Sequence, residues 1–395
     1  MLFAKKKYLD ISAIAFALLA FFVGWAVNAG NNPLTNIMLR NGVRIVSYLL
    51  LSLVLVRFLL LGLRITDMIF VIPLVYWLIT GIYIYKYSLL NINFLNNFTL
   101  IVFMLYNKKC WIRSYRIYRL IIIIMSFIGI FCYLSYILKL GVPYEVVNYY
   151  SSRFSAYYYD YKLAYIYHGV SGEVRLCGLF NEPGYFGTIC ALLLCIDQIN
   201  LRKISNIIIF IAGLLTFSIA FIVLIIVNFV LNYIKKKWLI VLIIISTIIL
   251  FFVFPNLDFT SDTINYIFQR LDFSNDGMMV NNRSNTLTDK LIIDLFKTNY
   301  VFFGHGSGYA NLNTLGVLSF KTYLLDFGVI GFSILYGLPL IFALKYSFGN
   351  RQIVIFVICF FLSVYQRPHI FNINYFILLF GGVMYMKNLT KIALA

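Results

Sequence analysis

RKISNIIIFIAGLLTFSIAFIVLIIVNFVLNYIKKK, residues 202–237, decides how this chain is read. Residues 204–234 carry no charge, yet both flanks are basic: Arg202 and Lys203 before, Lys235, Lys236 and Lys237 after. Short basic loops stay on the cytoplasmic side of a membrane. Both flanks therefore lie inside, and the chain goes out and comes back, turning near Thr216–Ser218. Each pass holds roughly 15 residues, below the ~20 of a standard crossing. A thinned bilayer or a re-entrant pair accommodates that length.

The rest of the chain agrees with a membrane setting. It is 62% hydrophobic and 12% charged over 395 residues, with mean hydropathy +0.89. One soluble core could not hide that much apolar side chain, whereas lipid accepts it. Further spans are expected at 9–28, 45–63, 68–85, 91–106, 117–138, 185–201, 238–254, 322–344, 352–365 and 371–386. Lys5, Lys6 and Lys7 precede the first of these, which reads as a retained helix rather than a cleaved leader. The expectation is one all-α polytopic membrane domain over 1–395, with about twelve transmembrane helices. Both termini are cytoplasmic, and two long loops, 139–182 and 255–321, lie on the outer face. The net charge of +18 is only partly a topology signal, because many cations fall in those long loops. Six cysteines show neither CxxC nor metal-ligand spacing and read as packing residues. No internal repeat is visible.

The outer loops hold the chemistry-bearing residues. The first is rich in tyrosine, with Tyr157, Tyr158 and Tyr159 in succession. Tyrosine rings stack on sugars and their hydroxyls bond to sugar hydroxyls; an interfacial aromatic belt is the plainer reading. The loop ends in Arg175, Gly178, Phe180, Asn181, Glu182, Pro183 and Gly184, where a helix begins. Pro183 suits the first turn, and Asn181 or Glu182 the cap. A helix N-terminus beside Arg175 suits an anion such as a phosphate; an ordinary capped helix start is the alternative. In the second loop, Leu287, Leu291, Ile292 and Leu295 are spaced for an amphipathic surface helix over 286–296. Gly304-His305-Gly306-Ser307-Gly308 follows and reads as a flexible turn. All three histidines (His168, His305, His369) fall in outer loops without metal-ligand spacing. His305 is the best general-base candidate among them, and Arg367 in a tight outer turn is a further anion candidate.

These residues resemble the O-antigen polymerase and ligase superfamily of bacterial membrane proteins. The resemblance rests on order: Arg175 to Gly184 at a helix start, then Leu214-Leu215-Thr216-Phe217-Ser218. A long outer loop with Arg283 follows, then Phe303-Gly304-His305-Gly306, then Asp326-Phe327-Gly328-Val329-Ile330-Gly331. It covers about residues 170–345; earlier residues match only in hydropathy. The resemblance implies a Wzy-type polymerase of surface polysaccharide (O-antigen, lipopolysaccharide or capsule) in the bacterial inner membrane, similar to the C-type glycosyltransferases. Its substrate would be an oligosaccharide on undecaprenyl diphosphate, and it would need no metal and no cofactor. Partners would be the lipid bilayer and a chain-length regulator, with no nucleic acid. Arg175 and Arg283, and more loosely Arg270 and Arg367, would hold the diphosphate; His305, Glu182 or Asp326 would be the base. Tyr157, Tyr158 and Tyr159 would line the glycan site.

Two positions depart from the pattern: Ile219 follows Ser218 where Arg is common, and no histidine precedes Asp326 closely. The second departure speaks against the ligase alternative, which differs in acceptor. A flippase or other transporter is the alternative from another class. It would collect charge inside helices, and here only Arg57 lies plainly within one.

Overall fold

The computed structural model describes residues 11–20, 100–233 and 286–394, apart from 101, 105, 151–154, 170–171, 181, 307–308, 314–319, 369 and 371, together with isolated positions 45, 49 and 75. The expected spans at 45–63, 68–85 and 238–254, and most of 91–106, lie outside the described residues. So do Arg270, Arg283 and His369.

The described chain is mostly helical and falls into two compact units. Two described helices are long and apolar enough to cross a membrane: α2 (Lys108–Ile137) and a later one, α9 (Phe320–Ser347). Shorter apolar helices are α1 (Ile11–Ala20), α3 (Pro183–Ile196), α4 (Ile204–Leu215), α5 (Ile219–Tyr233) and α10 (Arg351–Gln366). This is compatible with the all-α membrane expectation. Helix α2 starts nine residues before the expected 117, because the basic residues at its head extend the helix rather than precede it.

The second unit contains α2 from Arg119 onward, a sheet, and α3 to α5. The first long loop is not irregular. It folds into a four-stranded antiparallel meander, β1 (Glu145–Tyr150), β2 (Ser155–Asp160), β3 (Tyr165–His168) and β4 (Val174–Gly178), in the order β1-β2-β3-β4. Aromatic and β-branched residues favour such pleated surfaces. Ile166 and Leu176 are register partners, both fully buried. Leu176 packs on Gly129 of α2, where an added methyl group would stand 3.1 Å from it. Tyr133 of α2 donates to the Val174 carbonyl (3.3 Å), and Tyr136 stacks on Tyr159 at 4.7 Å. The sheet is thus laid on the last turns of α2.

Helix α3 is buried along its whole length and packs against both α4 and α5. Pro183 at its start has no N–H to leave unsatisfied there. The turn expected near Thr216–Ser218 is present, between α4 and α5. At the other end of α3, one guanidinium ties three elements. Arg119 of α2 donates to Asp197 (3.0 Å) after α3, and to Ser205 (3.0 Å) and Asn206 (2.6 Å) in α4. Asn206 in turn donates to the Asn200 carbonyl at 2.9 Å. Gln198 (φ 57°) and Ile199 (φ 51°) take left-handed conformations in this turn, which disfavours side-chain-bearing residues by about 1 kcal/mol each.

The first unit contains α1, the head of α2, and everything described after 286. Its part of the second long loop holds α6 (Thr286–Phe296), α7 (Tyr300–Phe303) and α8 (Tyr309–Asn313). The amphipathic helix expected over 286–296 is α6. After α9 and α10 come α11 (Ile373–Phe376), a π-helical turn (Ile377–Gly381) and α12 (Gly382–Leu394). Trp111 anchors this packing: its indole donates to the Phe103 carbonyl at 2.8 Å, and Gly381 admits its backbone closely. Asn350 caps α10 by accepting from Gln352 (3.1 Å) and Ile353 (3.2 Å). All six cysteines are buried and none forms a disulfide, as their apolar settings suggested.

Asp197 has only 2% side-chain exposure and its partner Arg119 19%. Replacing Asp197 by Ala leaves a largely buried cation facing no anion, so thermal unfolding in detergent should register a loss of about 3 kcal/mol. Lys203→Ala removes only a pair at 3.9 Å from a half-exposed lysine, and should shift the same measurement by less than about 1 kcal/mol.

Candidate functional site

The segments carrying the candidate residues meet in pairs, one pair in each unit. In the second unit, β4 delivers Arg175 to the end of α4. The side chain is buried; its Nε donates to the Thr216 carbonyl (2.9 Å) and its terminal nitrogen to the Phe217 carbonyl (3.2 Å). The Tyr167 ring lies 6.0 Å from the guanidinium. Thr216 is the C-cap of α4, and Phe217 takes a left-handed φ of 45°. The positive charge therefore sits on the negative end of the α4 dipole and satisfies carbonyls the helix leaves orphaned. Gly187 of α3 packs against Thr216 and Ser218 of the same turn, leaving no room for a Cβ. Residues 175–187 and 214–218 thus form one local structure. Arg175 was expected to face a phosphate. Two of its donors are directed at backbone carbonyls, so the side chain braces this turn.

Glu182 occupies the N-cap of α3 through its backbone, and its carbonyl accepts from Tyr185 (3.1 Å) and Phe186 (3.3 Å). Its side chain makes no capping bond to the helix. The expected cap is therefore a backbone one, with Pro183 behind it.

The three consecutive tyrosines do not line one surface. Strand alternation sends Tyr157 and Tyr159 to one face of the sheet and Tyr158 to the other. Tyr157 is 44% exposed, whereas Tyr158 is buried beside Tyr167 and Tyr165. Tyr159 is held between Tyr136, Tyr144 and His168. Of the three, only Tyr157 is exposed. Glu173, which sequence reading passed over, is 2% exposed, and its Oε2 has no hydrogen-bond partner among the described residues.

In the first unit, residues 303–306 meet residues 325–328. Gly328 breaks α9 with φ 64° and ψ −173°. The break takes the Leu325 and Asp326 carbonyls out of regular helical register, and they accept from the backbone N–H groups of His305 (2.9 Å) and Gly306 (2.9 Å). Gly304 has φ 72°. A Cβ on Gly304 would overlap the Asp326 backbone, and one on Gly328 would overlap Phe302 and Gly304. This turn was expected to be flexible; it is pinned at both glycines. The Asp326 carboxylate accepts from Ala310 N (2.8 Å) at the start of α8. Leu295, Ala310 and Leu325 form the small core beneath, and Lys321 pairs with Asp289 to hold α9 to α6.

The His305 ring lies between Tyr300 (centroids 4.4 Å apart) and Tyr309 (4.1 Å). Burial between these rings lowers its pKa below the ordinary histidine value. The imidazole is therefore neutral at pH 7 and holds a lone pair that can accept a proton. Arg367 is the buried C-cap residue of α10 in the same unit, its backbone N–H donating to Ser363 at 2.8 Å.

The structure therefore brings the His305–Gly306 turn against the Leu325–Asp326 backbone. Glu182, Arg175 and the tyrosines belong to the other unit. Among the described residues, no group of three or more His, Cys, Asp or Glu side chains could hold a metal ion. No protein-family profile matches the chain, and neither a curated protein nor a solved structure is similar to it.

Gly328 and Gly337 lie on the same helix and separate backbone strain from helix propensity. Gly328→Ala should lower stability in detergent by at least about 2 kcal/mol, from the left-handed φ and the overlap with Phe302. Gly337 has nothing within 4 Å of an added Cβ, so Gly337→Ala should raise stability by up to about 1 kcal/mol. Equal shifts in the unfolding midpoints of the two variants would remove the pinned-turn account.

Proposed function

We propose that this chain is an integral membrane glycosyltransferase that polymerises lipid-linked repeat units of a surface polysaccharide on the outer face of the bacterial cytoplasmic membrane. The observation that carries this reading is the pairing of motif segments. Residues 303–306 and 326–331 were linked only by their order along the chain, and His305 and Gly306 bond directly to the Leu325 and Asp326 carbonyls. The segments around Arg175 and Thr216 pair in the same way. Motif segments that build a local structure together are what this reading expects of them.

In this reading His305 is the base. Its neutral imidazole takes the proton from a hydroxyl of the incoming lipid-linked unit as that oxygen attacks the anomeric carbon of the growing chain. The new glycosidic C–O bond forms, and the bond from the anomeric carbon to the undecaprenyl diphosphate oxygen breaks. The diphosphate leaves with the electron pair. Arginine neutralises that charge, for which Arg367 and Arg283 are the proposed residues. Arg175 serves as a positioning residue, because its donors hold the α4–α5 turn. Asp326 fixes the His305 loop through its backbone carbonyl and through α8.

The test is a polymer ladder from cells carrying single variants. His305→Ala should reduce polymerisation by about 10²–10⁴ and leave single repeat units displayed outside. A normal ladder would remove His305 from the mechanism, and lipid-linked units trapped on the inner face would favour a flippase. The pH dependence has a defined sign. The active form is neutral and burial lowers the His305 pKa, so the acid limb of the rate profile should lie below about 6.5. Activity should persist at mildly acidic pH and fall only as His305 protonates.

A further inference from the structure

We propose that α6 and α7 lie in the outer-leaflet interface of the membrane as a monotopic anchor, with the bilayer itself covering their exposed apolar flank. This rests on the reading that α9 crosses the membrane. It adds a lipid contact site that fixes the depth of His305.

The exposed side chains of α6 segregate by angle. Leu295 points into the small core with Ala310 and Leu325, and Leu291 and Ile292 pack against it. At 100° per residue, Ile293 and Phe296 lie about 60° apart on one side of the exposed arc, and Lys290 and Asp294 lie about 40° apart on the other, where Leu287 is also exposed. The apolar flank continues into α7. Ile293, Phe296, Tyr300, Phe302 and Phe303 are each more than half exposed. Five large apolar residues so close together on a surface mark an interaction site rather than scattered exposure. Three faces, of core, apolar flank and polar flank, are what a helix lying at a membrane interface requires.

The depth follows from α9. From Val329 to Leu344 the sequence carries no charge, and that run rises about 24 Å as helix. That spans most of a hydrocarbon core of about 30 Å. Gly328 therefore stands near the outer boundary of the apolar layer. Phe302 backbone atoms lie against Gly328, so α7 meets the span at that boundary. Val329 and Ile330, in the first turn past Gly328, are also exposed. Phe302, Phe303, Val329 and Ile330 thus gather about one contact.

The partner is identified by its physics. Asp294 pairs with Lys297, and Asp289 with Lys321, so little net charge remains to seek anionic headgroups. The contact is driven by apolar burial and should be indifferent to headgroup charge. Because α7 runs straight into Gly304 and His305, this seat holds the imidazole at headgroup depth, where the diphosphate of a lipid-linked sugar lies.

The experiment uses the full chain in phosphatidylcholine nanodiscs, with single cysteines spin-labelled one at a time. The six native cysteines are buried, so unsubstituted protein provides the labelling blank. Labels at Phe296→Cys and Phe303→Cys should be several-fold more accessible to oxygen than to an aqueous nickel chelate. Labels at Lys290→Cys and Asp294→Cys should show the reverse, and adding anionic lipid should leave both ratios unchanged. Labels at 296 and 303 that meet the chelate as readily as 290 would overturn the proposal. Protection from both reagents would also overturn it, since protein rather than lipid would then cover the flank. The measurement needs no catalysis, so its failure leaves the polymerase reading standing. Equally, loss of the ladder in His305→Ala has no bearing on depth.

Discussion

The contact of Gly304 with Gly328 is a meeting of two backbones with no side chain between them. It requires left-handed φ at both residues and an interrupted helix. Once made, it determines much around it. The carbonyls of Leu325 and Asp326 receive the N–H groups of His305 and Gly306. The Asp326 carboxylate is brought to the start of α8, and α8 presents Tyr309 to one side of the imidazole while α7 presents Tyr300 to the other. Burial between those rings then lowers the His305 pKa.

The second unit solves a similar problem with charge. A short helix ending in a tight turn leaves carbonyls unpaired, and in an apolar setting each is expensive. Arg175 answers two of them at once from a neighbouring strand. At the opposite end of α3, Arg119 gathers Asp197, Ser205 and Asn206. Both devices allow helices of twelve to fifteen residues to turn back on a fully buried neighbour. Arginine suits both places because its donors are spread along a rigid fork.

Parts of this were legible beforehand because they are local. The turn between α4 and α5, the amphipathic α6 and the start of α3 at Pro183 each depend on a few adjacent residues. The meander was not legible. Tyrosine fits both a buried and an exposed position, so a run such as Tyr157-Tyr158-Tyr159 shows no alternation even though its side chains alternate. Nor was the role of Arg175, since a guanidinium that braces carbonyls and one that grips phosphate look alike in sequence. The Arg119–Asp197 pair is separated by 78 positions, and nothing local marks either residue.

By itself, then, the sequence determined the chain's local elements: apolar runs of helical length, basic flanks, and the residue types able to bind an anion or accept a proton. Hydrophobic transfer, helix propensity and capping act between near neighbours, so they can be read in order along the chain. Only the tertiary structure decided which of those residues meet. It joined His305 and Gly306 to the Leu325 and Asp326 carbonyls, turned Arg175 inward, and split the tyrosines across two faces of a sheet. Those outcomes depend on backbone approach at Gly304 and Gly328 and on strand register. Both are set by packing between distant segments rather than by the identity of any one residue.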